Sequence, residues 1–403
     1  MKLTNTHISY CSNIHSGESW KDHFEQLQEY VPLVKAQVSP NQPFGLGLRI
    51  SNAAAKELSN PDELDALKTW LQRQDVYVFT LNGFPFGDFH QNRVKDNVHF
   101  PDWTTHERYQ YTLNLFNILA ELVGDLEEAG ISTSPLSYRF WFKEGTEEWN
   151  TMLDQATQHI VQIAEFLYTK EVQTGKYLHL DIEPEPDGVL EDATEFLNWY
   201  NLQLLPKAIA YFKERGDLDP EQVKNIINRY ICICYDVCHF ALEYEQHETM
   251  MNRFEEEGIK IGKFQVSAAL KIDLATDADH RELQRTILQQ FDEPIYLHQV
   301  IARKQDGSLS KYRDLPEALA YFQDPEHIEW RSHFHVPIFL EKYGLIGSTQ
   351  EDIKTVIALQ KQKSRTNHIE VETYTWAVLP KDLQVPIQDS IAREINWLTD
   401  LLK

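Results

Sequence analysis

The chain of 403 residues is 42% hydrophobic and carries a formal net charge of −24 at pH 7. A chain of this length and composition can bury a large core, in one elaborated domain or in two. A protein that grips a nucleic-acid backbone needs a basic surface, so the acidic balance argues against a nucleic-acid partner and against adhesion to an anionic membrane.

The amino-terminal residues, the lack of long apolar runs and the cysteines favour a cytoplasmic protein. The first twenty residues lack the apolar segment of a signal peptide. The sequence contains no run of about 18 apolar residues, so we expect no membrane-spanning helix. The cysteines are Cys11, Cys232, Cys234 and Cys238, of which three crowd one predicted strand. Because neighbouring strand residues face opposite ways, a disulfide framework is disfavoured. Buried thiols are the favoured interpretation of this cluster, and a soft-metal site is the alternative.

Strand-like runs alternate with helical patterns along the whole chain. The predicted strands cover 7–11, 44–51, 76–81, 131–138, 177–182, 230–235, 262–267 and 368–373. The predicted helices cover 20–34, 53–73, 106–129, 149–170, 193–215, 247–257, 348–363 and 388–402. Eight strand–helix units predict an α/β fold, a (β/α)8 TIM barrel with one domain over 1–403. An open doubly wound sheet is the alternative, but no GxGxxG follows any strand.

Two intervals depart from this alternation. About 100 residues separate the seventh and eighth strands, and they contain further strand-like pieces at 295–302, 309–312 and 335–340. We expect residues 272–345 to form an insertion, or lid, over the barrel mouth. The segment at 83–103, GFPFGDFHQNRVKDNVHFPDW, is rich in Gly, Pro, aromatic residues and His and predicts a structured binding loop.

The most informative stretch is YICICYDVCH, where a strand ends on Asp236 and His239 follows three residues later. Active sites of TIM barrels lie at the carboxyl ends of the strands. There the sequence also places Glu183, in LDIEPEP, and Glu372, in VETYTW. Carboxylates that converge in a cavity cannot all stay ionised without a cation, so a divalent metal ion is predicted. Oxygen and imidazole ligands suit Mn, Zn, Fe or Mg.

Each candidate also has an ordinary structural explanation. The substrate-binding candidates are Arg49, Asn82, Arg139, His333 and His15, although the two arginines could equally form structural salt bridges. Other polar residues at strand ends or in loops are more often surface, packed or solvated groups; they are Glu185, Asp187, Glu370, His90, His99 and His298. The joint occurrence of Glu183, Asp236, His239, the HFH segment and Glu372 is what favours a site.

The order LDIEP, YDVCH, SHFHVP, VETYTW resembles the xylose-isomerase-like TIM-barrel superfamily of sugar isomerases, epimerases and endonuclease-IV-type enzymes. The resemblance implies a catalytic role for three residues: Glu183, Glu372 and His239. The metal ligands that it implies are Glu183, Asp236, Gln265, His335 and Glu372. Gln265 stands where a His is usual, and His335 or His333 could replace that imidazole.

Several longer segments are similar to the family of EboE-type metabolite traffic proteins. They are YCSNIHSGESW, GLGLRIS, TLNGFPFGDFH with RVKDNVHFPDW, and KFQVSAAL. This resemblance implies a bacterial pathway that moves a secondary-metabolite precursor, with other proteins of that pathway as candidate partners.

Three functions therefore remain open from the sequence. The first is metal-dependent isomerisation or epimerisation of a small sugar- or polyol-like metabolite, in which carboxylates shuttle a proton. The second is a non-catalytic binding or handover protein for a metabolite, and the third is metal-dependent hydrolysis of a phosphoester. No GxSxG or GxxxxGK[ST] motif is present, which disfavours serine hydrolase and phosphate-loop chemistry.

Overall fold

The computed structural model describes residues 1–87, 94–216, 218–379, 381 and 384–403. His90, one of the loop candidates, lies outside these residues. Within the described ranges, every helix is too short or too polar to cross a lipid bilayer.

The centre of the molecule is a barrel of eight parallel strands. Barrel strands 1 to 8 are Thr6–Tyr10, Phe44–Arg49, Val76–Asn82, Glu128–Thr133, Tyr177–Ile182, Ile231–Asp236, Ile261–Val266 and His368–Val371. Strand 8 pairs with strands 1 and 7, and the remaining strands pair in chain order. Strands 1 and 2 meet through a bridge between Cys11 and Gly47, supported by the Gly47 amide, which donates to Ser9 Oγ at 2.7 Å. The fold is therefore a TIM barrel, as the sequence predicts, and a short strand, Lys2–Leu3, pairs with strand 1.

Helices cover the outside of the barrel and the connections. They are Trp20–Val38, Asn52–Leu58, Pro61–Gln74, His106–Leu122, Glu147–Thr174, Ala193–Trp199, Leu205–Lys213, Pro220–Tyr230, Val237–Leu242, His247–Glu256, Ala278–Leu288, Leu315–Leu319, Gln350–Gln362 and Ile387–Leu402. Short 3-10 segments cover Ser12–Ile14, Lys95–His99, Arg139–Trp141, Gln289–Phe291 and Tyr374–Val378, and a π turn covers Tyr200–Leu204.

Local chemistry explains where the helix boundaries differ from the sequence prediction. The predicted helix at 53–73 is two helices, because Asn60 caps the second one and Pro61 occupies its first turn. The helix Pro220–Tyr230, which the sequence analysis missed, begins with a capping box in which Asp219 and Gln222 exchange hydrogen bonds. The fourth strand ends at Thr133, before Pro135, and does not reach 138.

The part of the chain that connects barrel strands 7 and 8 forms a second sheet. Its six strands, in chain order, are Ala268–Asp273, Val300–Lys304, Leu309–Tyr312, His327–Val336, Lys342–Tyr343 and Ile346–Ser348, and their pairs are antiparallel. The pairing of the longest strand is irregular between Ser332 and Val336. Such irregularities re-aim side chains, and this one includes His333 and His335.

The barrel interior is polar where branched apolar residues normally dominate. Lys263 and Glu370 are fully buried there and form an ion pair at 2.5 Å. Gly47 on strand 2 makes room for this pair, since a Cβ at that position would lie 1.6 Å from a Glu370 carboxylate oxygen. A glycine on strand 2, two strands away from Glu370 on strand 8, is thus required by the buried charge.

Glu394 on the C-terminal helix is a buried carboxyl group that ties three elements together. It accepts hydrogen bonds from Thr373 Oγ1 at 2.8 Å, after strand 8, and from the Ile338 amide at 3.1 Å, in the inserted segment. Burial raises the pKa of this carboxyl group from 4.5 to about 7. The folded state therefore binds the proton more tightly than the unfolded chain does.

The stabilising effect of that proton should be lost as pH rises from 4.5 through about 7. We expect a Glu394→Gln variant, which keeps an oxygen acceptor, to gain stability relative to the natural protein over this range, by up to about 3 kcal/mol. Urea unfolding of both proteins at pH 5 and pH 8 measures the difference. An identical pH dependence in the two proteins would contradict the assignment.

Candidate metal centre and cavity

A cavity opens at the carboxyl ends of the barrel strands. Its walls come from strand ends, from the loop after strand 3, and from the segment between strands 7 and 8. The lining residues are Asn13, Asn82, Phe84, Pro85, Val94, Lys95, Val98, His99, Glu183, Glu185, His239, Tyr296, Leu297, Gln299, His333, His335, Glu372 and Tyr374. Glu183, Glu372, His239, Asn82, His333 and His335, all singled out from the sequence, therefore lie together.

Three carboxylates meet at the floor of this cavity. Glu183, Asp236 and Glu372 follow or end strands 5, 6 and 8, and one oxygen of each lies within 4.8 Å of the others. Their exposed fractions are 3%, 0% and 5%. Strand ends of a barrel converge in this way, so residues that are distant in sequence become neighbours.

Asp236 is held by the start of the next helix. Its Oδ1 accepts from the backbone amides of Cys238 at 2.7 Å and His239 at 3.3 Å, and from Ser267 Oγ at 2.6 Å. Among the described residues, Oδ2 has no hydrogen-bond partner although it is buried. The cap therefore fixes one oxygen of the carboxylate and leaves the other for the cavity.

Glu183 and Glu372 also accept hydrogen bonds at one carboxylate oxygen each. Glu372 Oε1 accepts from Asn13 Nδ2 at 2.6 Å and from Asn82 Nδ2 at 3.0 Å. Glu183 Oε1 accepts from Gln265 Nε2 at 3.3 Å, whereas its Oε2 has no partner within the described part of the chain. Amide donors thus orient these carboxylates without neutralising them.

Burial and mutual repulsion oppose the ionisation of this cluster. Burial, followed by the charges of Glu372 and Asp236, raises the pKa of Glu183 well above its usual value. Burial, followed by the charges of Asp236 and Glu370, raises the pKa of Glu372 to about 8. A cation placed among the three carboxylates would remove this penalty.

Three histidines face the cavity, and in each of them one ring nitrogen, Nδ1, is hydrogen-bonded to a protein oxygen atom. Nδ1 of His239 donates to the Pro184 carbonyl at 2.9 Å, and Nδ1 of His335 donates to the Glu372 carbonyl at 3.1 Å. Nδ1 of His333 donates to Gln299 Oε1 at 2.9 Å. Because these oxygens only accept, each proton sits on Nδ1 and Nε2 keeps its lone pair. Burial lowers the pKa of His335 to about 4, so its imidazole is neutral, as a metal ligand must be.

The residues present fit a divalent metal ion. Glu183 Oε2, Asp236 Oδ2 and His335 Nε2 are buried atoms without a partner among the described residues. Asp236, His239 and His335 also form a group whose ligand atoms lie within 4.8 Å of one another. Carboxylate oxygen and imidazole nitrogen are the donors that Mn, Fe and Zn accept, with the backbone carbonyls at Nδ1 as orienting partners.

Gln265 lies beside the carboxylate cluster with its amide nitrogen turned toward Glu183. It is buried on strand 7, and its amide nitrogen faces Glu183 while its oxygen accepts from Cys234 Sγ at 3.8 Å. In this orientation the side chain donates to a carboxylate and offers no oxygen to an ion. Gln265 thereby orients Glu183, and its role as a metal ligand stays a prediction.

Three of the substrate-binding candidates lie away from the cavity. Arg49 forms a two-pronged ion pair with Glu18, at 3.0 and 2.9 Å. Arg139 pairs with Glu195 at 2.6 Å and with a second carboxylate, Glu191, at 3.2 Å. His15 contacts the Tyr10 hydroxyl at 2.9 Å. These contacts are structural, since none of the three side chains lines the cavity.

A second pair of polar side chains in the same cavity was not predicted from the sequence. His99 Nε2 lies 2.8 Å from Glu185 Oε1, and both side chains are buried in the lining. Glu185 was expected to be solvated, but the inserted segment and the loop after strand 3 close over it. Its position two residues after Glu183, on the same face of an extended segment, was the available signal.

Further residues of the barrel interior and the cavity wall were not predicted from the sequence, and one histidine that was considered has a packing role. Lys263 lies two residues before Gln265 on strand 7, so period-two alternation could have placed it inside the barrel. His298 is a packed histidine whose Nε2 contacts Glu293 at 2.8 Å. Tyr296 and Tyr374, with ring centroids 4.9 Å apart, form an aromatic part of the cavity wall that no motif indicated.

The fold is similar to solved xylose isomerase-like TIM barrels. One is a xylose isomerase-like TIM-barrel protein from Mycobacterium smegmatis, solved in complex with magnesium, with a TM-score of 0.51 and 9% identity over 100% of this chain and 98% of that chain. Two further structures have TM-scores of 0.46. They are an IolI protein with a bound zinc atom, at 11% identity over 98% of each chain, and a xylose isomerase domain protein from Salmonella typhimurium LT2, at 12% identity over 100% of this chain and 99% of that chain.

At these identities the similarity is one of fold. A scan of the sequence finds no matching family model, and a search finds no sufficiently similar curated protein. The chain has the fold of the xylose isomerase-like TIM barrels, with a group of buried carboxylates and histidines at the end where such barrels carry their sites.

Proposed function

We propose that the protein is a metal-dependent enzyme that isomerises or epimerises a small, uncharged sugar- or polyol-like metabolite. The observation that carries the proposal is the meeting of Glu183, Asp236 and Glu372, whose buried oxygens lie within 4.8 Å of one another. His335 completes a ligand set for one divalent ion of the Mn, Zn, Fe or Mg group. Such an ion supplies polarisation of a substrate carbonyl and an adjacent hydroxyl.

The charges of the cavity favour an uncharged substrate. Among the described lining residues, Lys95 is the sole lysine or arginine, and its ammonium group is paired with Asp314. Glu185 adds a carboxylate to those on the floor. A phosphate or carboxylate group of a substrate would therefore meet more negative than positive charge, whereas hydroxyl groups would find donors and acceptors on Asn13, Asn82 and Gln299.

The residues suggest a division of roles. Glu183 and Glu372 flank the floor of the cavity, where each can accept a proton from the substrate and return it. His239, whose Nδ1 is held by the Pro184 carbonyl, presents Nε2 to the cavity as a further proton-transfer or substrate-binding group. Tyr296, Tyr374 and the inserted segment exclude water from the reacting carbon atom.

The alternatives predict different behaviour. A phosphoester hydrolase needs cations for the phosphate beyond one bound ion, and Lys95 of the described lining is already paired with Asp314. A non-catalytic handover protein would bind a metabolite without exchanging its protons, and the aromatic wall at Tyr296 and Tyr374 is the feature that favours it. The resemblance to EboE-type proteins supports a setting for either role, a bacterial pathway that moves a secondary-metabolite precursor.

Proton exchange in heavy water separates these functions. We expect the metal-loaded protein, incubated with a panel of neutral aldoses, ketoses and cyclic polyols that carry a ketone, to introduce deuterium at a carbon atom next to the carbonyl, as read by NMR. Glu372→Gln should slow this exchange at least ~100-fold, the contribution of a positioned general base. Glu394→Gln, at a buried carboxyl group outside the cavity, is the matched control. Binding without exchange would favour handover, and phosphoester cleavage would favour hydrolysis.

A further inference from the structure

A second group of unused polar side chains lies deeper inside the barrel. His179, Asp181 and Cys232 are fully buried, and a ligand atom of each lies within 4.8 Å of the others. Asp181 precedes Glu183 by two residues along strand 5, so this group lies about 7 Å below the floor of the cavity. The proposed reaction does not use any of these three residues.

The local fold explains why the three side chains meet. Asp181 and Cys232 are directly paired across strands 5 and 6, and His179 and Asp181 alternate onto the same inward face of strand 5. Space for them comes from glycines on the neighbouring strands. A Cβ at Gly130 would lie 2.3 Å from the His179 ring, and one at Gly262 would lie 1.9 Å from an Asp181 oxygen.

Unpartnered atoms at this level indicate a missing occupant. Asp181 Oδ2 and His179 Nε2 have no hydrogen-bond partner among the described residues, and neither has either ring nitrogen of His368. His368 is fully buried, and its ring centroid lies 5.7 Å from that of His179. Buried polar atoms are rarely left unsatisfied, because desolvation without a partner costs free energy, so an ion or a water molecule is expected here.

We propose that His179, Asp181 and Cys232 bind one zinc-class metal ion in the barrel interior. An imidazole, a carboxylate and a thiolate form a donor set that zinc accepts, with a water molecule held by the His368 ring as the fourth ligand. His179 Nδ1 and Asp181 Oδ1 are 2.5 Å apart and engage each other, which leaves His179 Nε2 and Asp181 Oδ2 for the ion. Binding would take the thiol proton from Cys232.

This site differs from the one at the mouth in having sulfur. Reconstitution of the metal-free protein with Co²⁺ should therefore give a near-ultraviolet sulfur-to-cobalt charge-transfer band. We expect Cys232→Ser to lose the band, and Cys234→Ser, which changes a thiol two residues along the same strand, to keep it. Asp236→Asn, which alters the mouth, should also keep the band.

X-ray absorption on the natural protein gives a second measurement that needs no variant. One sulfur ligand at about 2.3 Å from bound zinc is expected. Metal bound only by oxygen and nitrogen would overturn the proposal and leave an ordered water as the occupant. A band lost in Cys238→Ser but retained in Cys232→Ser would overturn it too, since Cys238 lies beside His333 and His335.

Discussion

Replacement of Lys263 by Met should lower the free energy of unfolding by about 3–5 kcal/mol, the cost of leaving a buried charge without its partner. Lys263 Nζ lies 2.5 Å from Glu370 Oε2 and donates to Ser132 Oγ at 3.0 Å, and both charged residues are fully buried. Removal of the ammonium group leaves the negative charge of Glu370 in the barrel interior without its ion-pair partner. Urea unfolding at neutral pH measures the loss.

A double variant separates the charge effect from a packing effect. Lys263→Met combined with Glu370→Gln removes both charges and should recover much of the loss, because the remaining amide carries no net charge. Lys271→Met is the control, since this half-buried lysine lies 3.7 Å from Asp273 and 3.8 Å from Glu329 at the edge of the second sheet. A double variant that is as unstable as the single one would show that side-chain packing dominates.

The second large effect is expected on metal affinity. Asp236→Asn keeps the size of the side chain and the oxygen that caps the helix Val237–Leu242. It removes the negative charge and presents an amide nitrogen or a weaker carbonyl ligand where Oδ2 stands. We expect at least ~100-fold weaker binding at the mouth, as replacing an orienting partner alone costs about 10–100-fold.

Metal binding should also raise the free energy of unfolding. A ligand that binds the folded chain alone adds about 2.7 kcal/mol to the free energy of unfolding at 100 times its dissociation constant. The gain should fall sharply in Asp236→Asn at the same metal concentration and persist in Glu394→Gln, whose carboxyl group lies outside the cluster. An equal gain in all three proteins would show that the stabilising ion binds elsewhere.

The sequence was most informative where a single periodicity decided the structure. Eight strands at the predicted spacing close the barrel, and the strand ends bring Glu183, Asp236 and Glu372 together because parallel strands share one carboxyl edge. The HFH segment reaches the same cavity through the irregular strand of the insertion, which no periodicity predicted.

Pairings over long sequence distances were less predictable. Arg49 looked like a substrate ligand because its strand ends at the mouth, but Glu18, from a loop 31 residues earlier, takes its guanidinium group. Glu185 looked solvated in a Pro-rich turn, but His99 lies against it across the cavity. Both outcomes depend on which loop covers which strand end, and although alternation placed Glu185 on the same face as Glu183, it did not identify the loop that supplies His99.

The most direct measurement is the metal content of the purified protein beside Asp236→Asn, by elemental analysis after dialysis against a weak chelator. The proposed ligand set requires the variant to carry one divalent ion fewer per chain than the natural protein, while Glu394→Gln matches the natural protein. Equal metal loads in the natural protein and Asp236→Asn would contradict the assignment of this carboxylate cluster as the metal centre.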